Sequence, residues 1–217
     1  MNAYSVDSVR HSPLQSPPKD TALIVGATLF NGVVAGSLLW FAGTDSAATE
    51  LALRTTARVS FVWFMLAFIA SPMQQLRPSA ASAWLLSRRR AFGVIFGLSM
   101  SIHVAFILRM FALHAPSRPP MVTDADFIIG IPGLVLVALL TITSADMLKQ
   151  RLSPIAWRRL HTTGIWVVWS IFFLCLIDSV GRKNTNHPVL AYYTFIAVLL
   201  AGVGLRLVAA RRRLRLS

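Results

Sequence analysis

The chain has 217 residues, of which 55% are hydrophobic and only 13% are charged, yet its formal net charge is +13. The Lys and Arg residues occur in short clusters between long apolar segments, whereas a soluble nucleic-acid-binding protein would spread them over its surface. Because a membrane span needs about 20 apolar residues, the sequence excludes a soluble nucleic-acid binder and predicts a multi-pass membrane protein.

Six segments are long and apolar enough to cross a bilayer. In chain order they are Ala22–Ala42, Thr56–Met73, Ala91–Leu113, Phe127–Ala145, Leu160–Val180 and Pro188–Ala210. Residues 1–20 lack an apolar core and are predicted to be a disordered tail, and residues 211–217 a basic tail. The predicted fold class is therefore an all-α membrane protein, a six-transmembrane-helix bundle over residues 21–210.

The basic residues predict the orientation of this bundle. Fourteen Lys and Arg residues flank one side of the six segments, and four flank the other. Because cytoplasmic loops carry the excess of Lys and Arg, we expect both the N-terminus and the C-terminus to be cytoplasmic. The same rule accounts for the three arginines at 88–90. In the alternative interpretation, these arginines form a clamp that binds the acidic groups of a cofactor.

Two histidines are candidate functional residues. His103 lies near the centre of the third segment, where an ionisable residue indicates either a metal or cofactor ligand or a core histidine with a hydrogen-bond partner. His161 opens the fifth segment. Counted from the inner arginines at ~1.5 Å per residue, the two lie at depths of ~20 Å and ~3 Å, so they are poor partners for one metal. The residue of the fifth segment at the same depth as His103 is expected to be Phe172, give or take one turn.

Three short motifs carry a resemblance to a known family. The first is Thr143-Ser144, Met147, Lys149 and Arg151-Leu152, followed by Trp157-x-x-Leu160-His161. The second is Arg89-Arg90-Ala91-Phe92-Gly93 with His103 ten residues later, and the third is Ser71-Pro72-Met73. Together they resemble the ferric-reductase-like transmembrane domain between about Arg54 and Ile177. Within that family, the similarity is greatest to the haem-binding membrane subunit of the bacterial methionine-sulfoxide reductase system.

The resemblance implies a haem b protein of the bacterial inner membrane that passes electrons across the bilayer. His103 and His161 fall on two of the family's three haem-associated histidines, and Arg89 and Arg90 are the residues that the cofactor clamp would use. The third histidine position falls on Leu174, which cannot ligate iron. Three alternatives follow: a five-coordinate haem on His103, a replacement ligand such as Cys175, or loss of the site.

Two functions remain open from the sequence. The first is a haem-binding electron-transfer subunit, an oxidoreductase component without its own flavin or nicotinamide domain, since no dinucleotide-binding signature is present. A quinone, a flavin or a redox partner protein would then supply its electrons, and its other partners would be membrane lipids. The second is a haem-free six-helix membrane protein that acts as an interaction or assembly partner. A transporter is disfavoured because no acidic residue lies in mid-span.

Overall fold

The computed structural model describes residues 18–117, 124–144, 151–181 and 189–215. These residues form seven α-helices. They are α1 (Pro18–Ala42), α2 (Ser46–Leu76), α3 (Ala80–Ser87), α4 (Arg89–His114), α5 (Asp124–Ile142), α6 (Pro154–Gly181) and α7 (Val189–Leu214). The described residues contain no strand, which confirms the all-α prediction.

Five of these helices are long and apolar enough to cross a membrane, namely α1, α2, α4, α6 and α7. They correspond to five of the six predicted spans. The remaining one, α5, has a shorter apolar run from Phe127 to Ile142 and contains Pro132. A sixth crossing by α5 and the cytoplasmic location of both termini therefore stay predictions.

Contacts between helix ends show how the bundle runs. The Arg90 guanidinium donates to the carbonyl of Ser144, and Arg212 donates to the carbonyl of Leu76 at 3.2 Å. Arg89 also donates to the Ser71 hydroxyl near the end of α2, Asp20 of α1 pairs with Arg88, and the Trp157 indole of α6 donates to the Thr143 carbonyl. The starts of α1, α4 and α6 and the ends of α2, α5 and α7 therefore share one end of the bundle, which we call the basic end. Neighbouring helices form a ring in the order α1, α4, α5, α6, α7, α2, and α2 also packs directly against α4 across it.

The antiparallel contact of α2 with α4 is a ladder of matched side chains. From the far end towards the basic end, its rungs are Thr56 with His103, Ser60 with Ser99, and Phe64 with Phe96. The rungs recur every three to four residues, as expected for one face of each helix. The contact between α2 and α4 separates two groups of helices, and both groups include these two helices. The small group is α1, α2 and α4, and the larger group is α2, α4, α5, α6 and α7.

Close approach of α4 to α5 requires a glycine. A Cβ atom on Gly97 would lie 2.8 Å from the Cβ of Thr141, which is too close for the base of a side chain. Helix α5 can therefore lie against α4 only because residue 97 lacks a side chain.

The helices extend beyond several of the predicted segments. Helix α2 begins ten residues before the predicted Thr56, with the Asp45 carboxylate accepting from the Ala48 amide at 2.8 Å. The predicted N-terminal tail overlaps α1, which begins at Pro18; the rest of that tail lies outside the described residues. The predicted C-terminal tail is helical as far as Leu214, because α7 continues through its arginines.

Candidate functional site

His103 lies near the middle of α4 and is held by a hydroxyl group of α2. Its Nδ1 atom is 3.0 Å from the Thr56 hydroxyl oxygen. In the tautomer with its proton on Nδ1, His103 donates to the Thr56 hydroxyl oxygen, and that hydroxyl donates to the backbone carbonyl of Ala52 at 2.8 Å. The neutral imidazole then carries its lone pair on Nε2. The buried-histidine alternative predicted a partner of this kind.

A buried polar cluster continues from this bond within α1, α2 and α4. The hydroxyls of Ser60 and Ser99 are 2.8 Å apart, and the Trp63 indole donates to the Asn31 side-chain oxygen at 3.1 Å. Asn31 is only 4% exposed, and its amide nitrogen has no partner among the described residues. The crevice beside these polar groups has no room for a water-sized molecule.

The interior of the larger helix group is filled by aromatic rings. Phe64 of α2 has its ring centroid 5.5 Å from Phe96 of α4 and 5.4 Å from Phe172 of α6, and Phe172 is also 5.4 Å from Phe61. These rings belong to one core cluster with Phe68, Val137, Val168 and Leu199. Large side chains therefore occupy the space between α4 and α6.

The structure corrects the predicted level of His103 on α6. Phe172 packs against Phe96, with ring centroids 6.1 Å apart. Phe96 precedes His103 by seven residues, or ~10 Å along the helix. Phe172 therefore lies about two turns closer to the basic end than His103.

His161 occupies a separate site at the junction of α5 and α6. Its Nε2 atom is 3.2 Å from the Thr143 hydroxyl, and its ring stacks on Trp157 with centroids 4.3 Å apart. The Trp157 indole donates to the Thr143 carbonyl at 3.0 Å. The motif Trp157-x-x-Leu160-His161 thus joins the start of α6 to the end of α5.

Arg89 and Arg90 contact different helices. Arg89 donates to the Ser71 hydroxyl at 3.1 Å. Arg90 donates from Nε to the Ser144 carbonyl at 2.8 Å, with a second bond from its terminal nitrogen. Both arginines tie α4 to neighbouring helix ends, and their predicted role at a cofactor remains untested.

The sequence-predicted positions opposite His103 face outward. Leu174, at the family's third histidine position, is 49% exposed, and Cys175 is exposed as well. The interior face of α6 is instead formed by residues such as Val168, Trp169 and Phe172. Neither Leu174 nor Cys175 points towards the core that separates α6 from α4.

Sequence reasoning missed Arg206 of α7. Its guanidinium donates from Nε and from a terminal nitrogen to the Phe68 carbonyl, at 3.2 and 2.9 Å, and lies 4.0 Å from the centre of the Phe68 ring. Pro72 has no N–H, so Phe68 lacks its usual helical donor four residues later. The sequence features that could have indicated this contact are a proline within one apolar helix and a single arginine within another.

The fold and these sites define an all-helical, multi-pass membrane protein. Residues 56–175, more than half of the chain, match the family model described as ferric reductase like transmembrane component. The chain belongs to this family, whose members are membrane redox components. Comparisons with curated proteins and with solved structures gave no match.

Haem is the group that this family implies, and a haem held between two histidines does not fit the side chains present. His103 and His161 have different partners on different helices. Phenylalanine rings fill the space between α4 and α6, and Leu174 faces outward. Among the described residues, no group of three or more His, Cys, Asp or Glu side chains could hold a metal ion.

Proposed function

We propose that this chain is a haem-free membrane subunit of a ferric-reductase-like redox system and acts as an interaction or assembly partner. In this proposal, residues 21–210 form one domain in a bacterial inner membrane, with both termini in the cytoplasm. Its partners are membrane lipids and a redox protein, and the chain itself is not the catalytic subunit.

The proposal rests on the aromatic side chains that fill the space between α4 and α6. A porphyrin between α4 and α6 would have to displace Phe64, Phe96 and Phe172, whose rings contact one another at 5.4–6.1 Å. Protein interiors packed in this way tolerate little added volume. The redox partner would dock at the basic end, where exposed arginines on α6 and α7 favour an acidic surface.

The absorbance spectrum of the purified full-length protein tests this proposal. After expression with a haem precursor, we expect no Soret band and no pyridine-haemochrome signal in the protein peak. A Soret band in stoichiometric amount that sharpens on dithionite reduction would overturn the proposal. His114→Ala serves as the control variant for any band, since within the described part of the chain the His114 ring bonds only to its own helix, at the Met110 carbonyl.

The second candidate function is a haem b electron-transfer subunit, close to the haem-binding membrane subunit of the methionine-sulfoxide reductase system. One observation favours it. A metal-ligating histidine usually donates its other ring N–H to a protein acceptor, and the Thr56 hydroxyl, 3.0 Å from Nδ1 of His103, is placed to accept such a proton and leave Nε2 for a metal. A quinol, a flavin or a reductase would supply electrons at the basic end. In this case His103→Ala removes the Soret band and His114→Ala leaves it.

Restoring the family's third histidine is expected not to create a haem site. Leu174 is 49% exposed and faces away from the core, so the imidazole of Leu174→His would also face outward. We expect the variant to remain colourless after expression with a haem precursor. A six-coordinate haem spectrum in Leu174→His, absent again when His103→Ala is added, would show that α6 presents a different face to α4.

A further inference from the structure

Two arginines from different helices meet at the same turn of α2, near the basic end. Arg89 of α4 donates to the Ser71 hydroxyl at 3.1 Å, and Arg206 of α7 donates to the Phe68 carbonyl at 2.9 Å. Phe68 and Ser71 are three residues apart and so lie on nearly the same face of α2. Because they bond to the same turn of α2, the two guanidinium groups are close enough to repel each other.

The positive charge of this group has no described counter-charge. The one described carboxylate at the basic end, Asp20, is paired with Arg88 at 2.7 Å. The other described acidic residues belong to the opposite end of the bundle; they are Asp45, Glu50, Asp124 and Asp178. Two cations that are partly shielded from water repel each other, and a bound anion would offset that repulsion.

Both guanidinium groups keep donors for such an anion. Each guanidinium has five N–H donors. Within the described part of the chain, the bonds of Arg89 use one terminal nitrogen, and those of Arg206 use Nε and one terminal nitrogen. The remaining N–H groups are donors for charge-assisted hydrogen bonds, which phosphate oxygens accept well.

The position of Arg206 favours a lipid as the source of the anion. Arg206 lies five residues, or ~7.5 Å along the helix, before the arginine run that begins at Arg211. Its guanidinium also lies over the rings of Phe68 and Trp166, at 4.0 and 5.5 Å. An anion at this level, among apolar rings, is more readily supplied by a lipid that approaches from the side of the bundle than by an ion from water.

We propose that Arg89 and Arg206 form a binding site for a phosphate group, and that its occupant is the headgroup of an anionic phospholipid. Basic pockets between transmembrane helices are known to bind such headgroups. The site does not depend on whether the chain binds haem.

Native mass spectrometry and thermal unfolding of the full-length protein in neutral detergent test the site. Phosphatidylglycerol is expected to bind and to raise the unfolding temperature, while phosphatidylcholine at the same concentration does neither. Arg89→Gln is expected to weaken phosphatidylglycerol binding about tenfold or more, because it removes a charge-assisted contact to phosphate. Arg158→Gln is the matched control, since Arg158 is an exposed arginine at the same end.

Further comparisons distinguish a lipid headgroup from a free phosphate ion as the bound group. If inorganic phosphate at constant ionic strength stabilises the wild type as much as the lipid does, and Arg89→Gln abolishes both effects, the phosphate site stands and its occupant is a free ion. Equal responses to the two lipids would overturn the proposal. So would an equal loss of lipid binding in Arg89→Gln and Arg158→Gln, because that result indicates general surface attraction.

Discussion

Phe64→Ala is expected to destabilise the protein by about 3 kcal/mol or more. Phe64 is 2% exposed, and its ring lies 5.4–5.5 Å from those of Phe68, Phe96 and Phe172. Truncation leaves a cavity whose lining loses its dispersion contacts. Lipid or detergent does not restore them, although transfer of the ring from an apolar solvent contributes less than it would from water. Reversible unfolding in a denaturing detergent measures the change.

Phe41→Ala is the matched control for this prediction. Phe41 lies near the end of α1 and is 86% exposed, so its truncation is expected to change the free energy of unfolding by only a few tenths of a kcal/mol. Similar losses for the two variants would contradict the filled interior. In that case the space between α4 and α6 would have to be reconsidered as a cofactor site.

The sequence predicted the helices well because length and hydropathy decide them. Hydropathy does not show where α2 begins, because Glu50 and Arg54 interrupt the apolar pattern there. In the structure these two side chains form an ion pair one turn apart, and Asp45 caps the helix. Charged residues that satisfy one another locally extend a helix without adding hydropathy, so a search for apolar runs cannot detect them.

The candidate site was predictable only in part. A histidine in mid-span can be read from the sequence, but its partner Thr56 is 47 residues away and belongs to an ordinary apolar helix. Likewise, Phe96 and Phe172 are recognisable as core residues, yet only the three-dimensional arrangement shows that their rings fill the space between α4 and α6. The outward orientation of Leu174 depends on the rotation of α6, which no local pattern specifies.

Arg206→Gln is expected to cost about 1.5–3 kcal/mol of stability, the value of hydrogen bonds from a charged donor. The reason lies in α2, where Pro72 leaves the Phe68 carbonyl without a helical donor. Arg206 supplies two bonds to that carbonyl, at 3.2 and 2.9 Å. Unfolding is measured in lipid-free neutral detergent, so that a bound headgroup does not contribute.

Arg212→Gln is the matched control. Arg212 lies on the same helix and also donates to an α2 carbonyl, that of Leu76 at 3.2 Å, but it is exposed. Water can replace its bond, so its loss is expected to cost well under 1 kcal/mol.

A double-mutant cycle with Pro72→Ala isolates the physical cause. In the Pro72→Ala background the new amide of residue 72 can donate to the Phe68 carbonyl, and the carbonyl no longer depends on Arg206. Arg206→Gln should then cost markedly less than in the wild type, leaving mainly the loss of the stacking on Phe68, worth about 0.5–2 kcal/mol. Equal costs in the two backgrounds would mean that Arg206 stabilises the bundle through its charge or its ring contacts alone. A reduced cost identifies the arginine as the donor that replaces the missing amide, and explains why a cation lies ~7.5 Å before the arginine run at the end of α7.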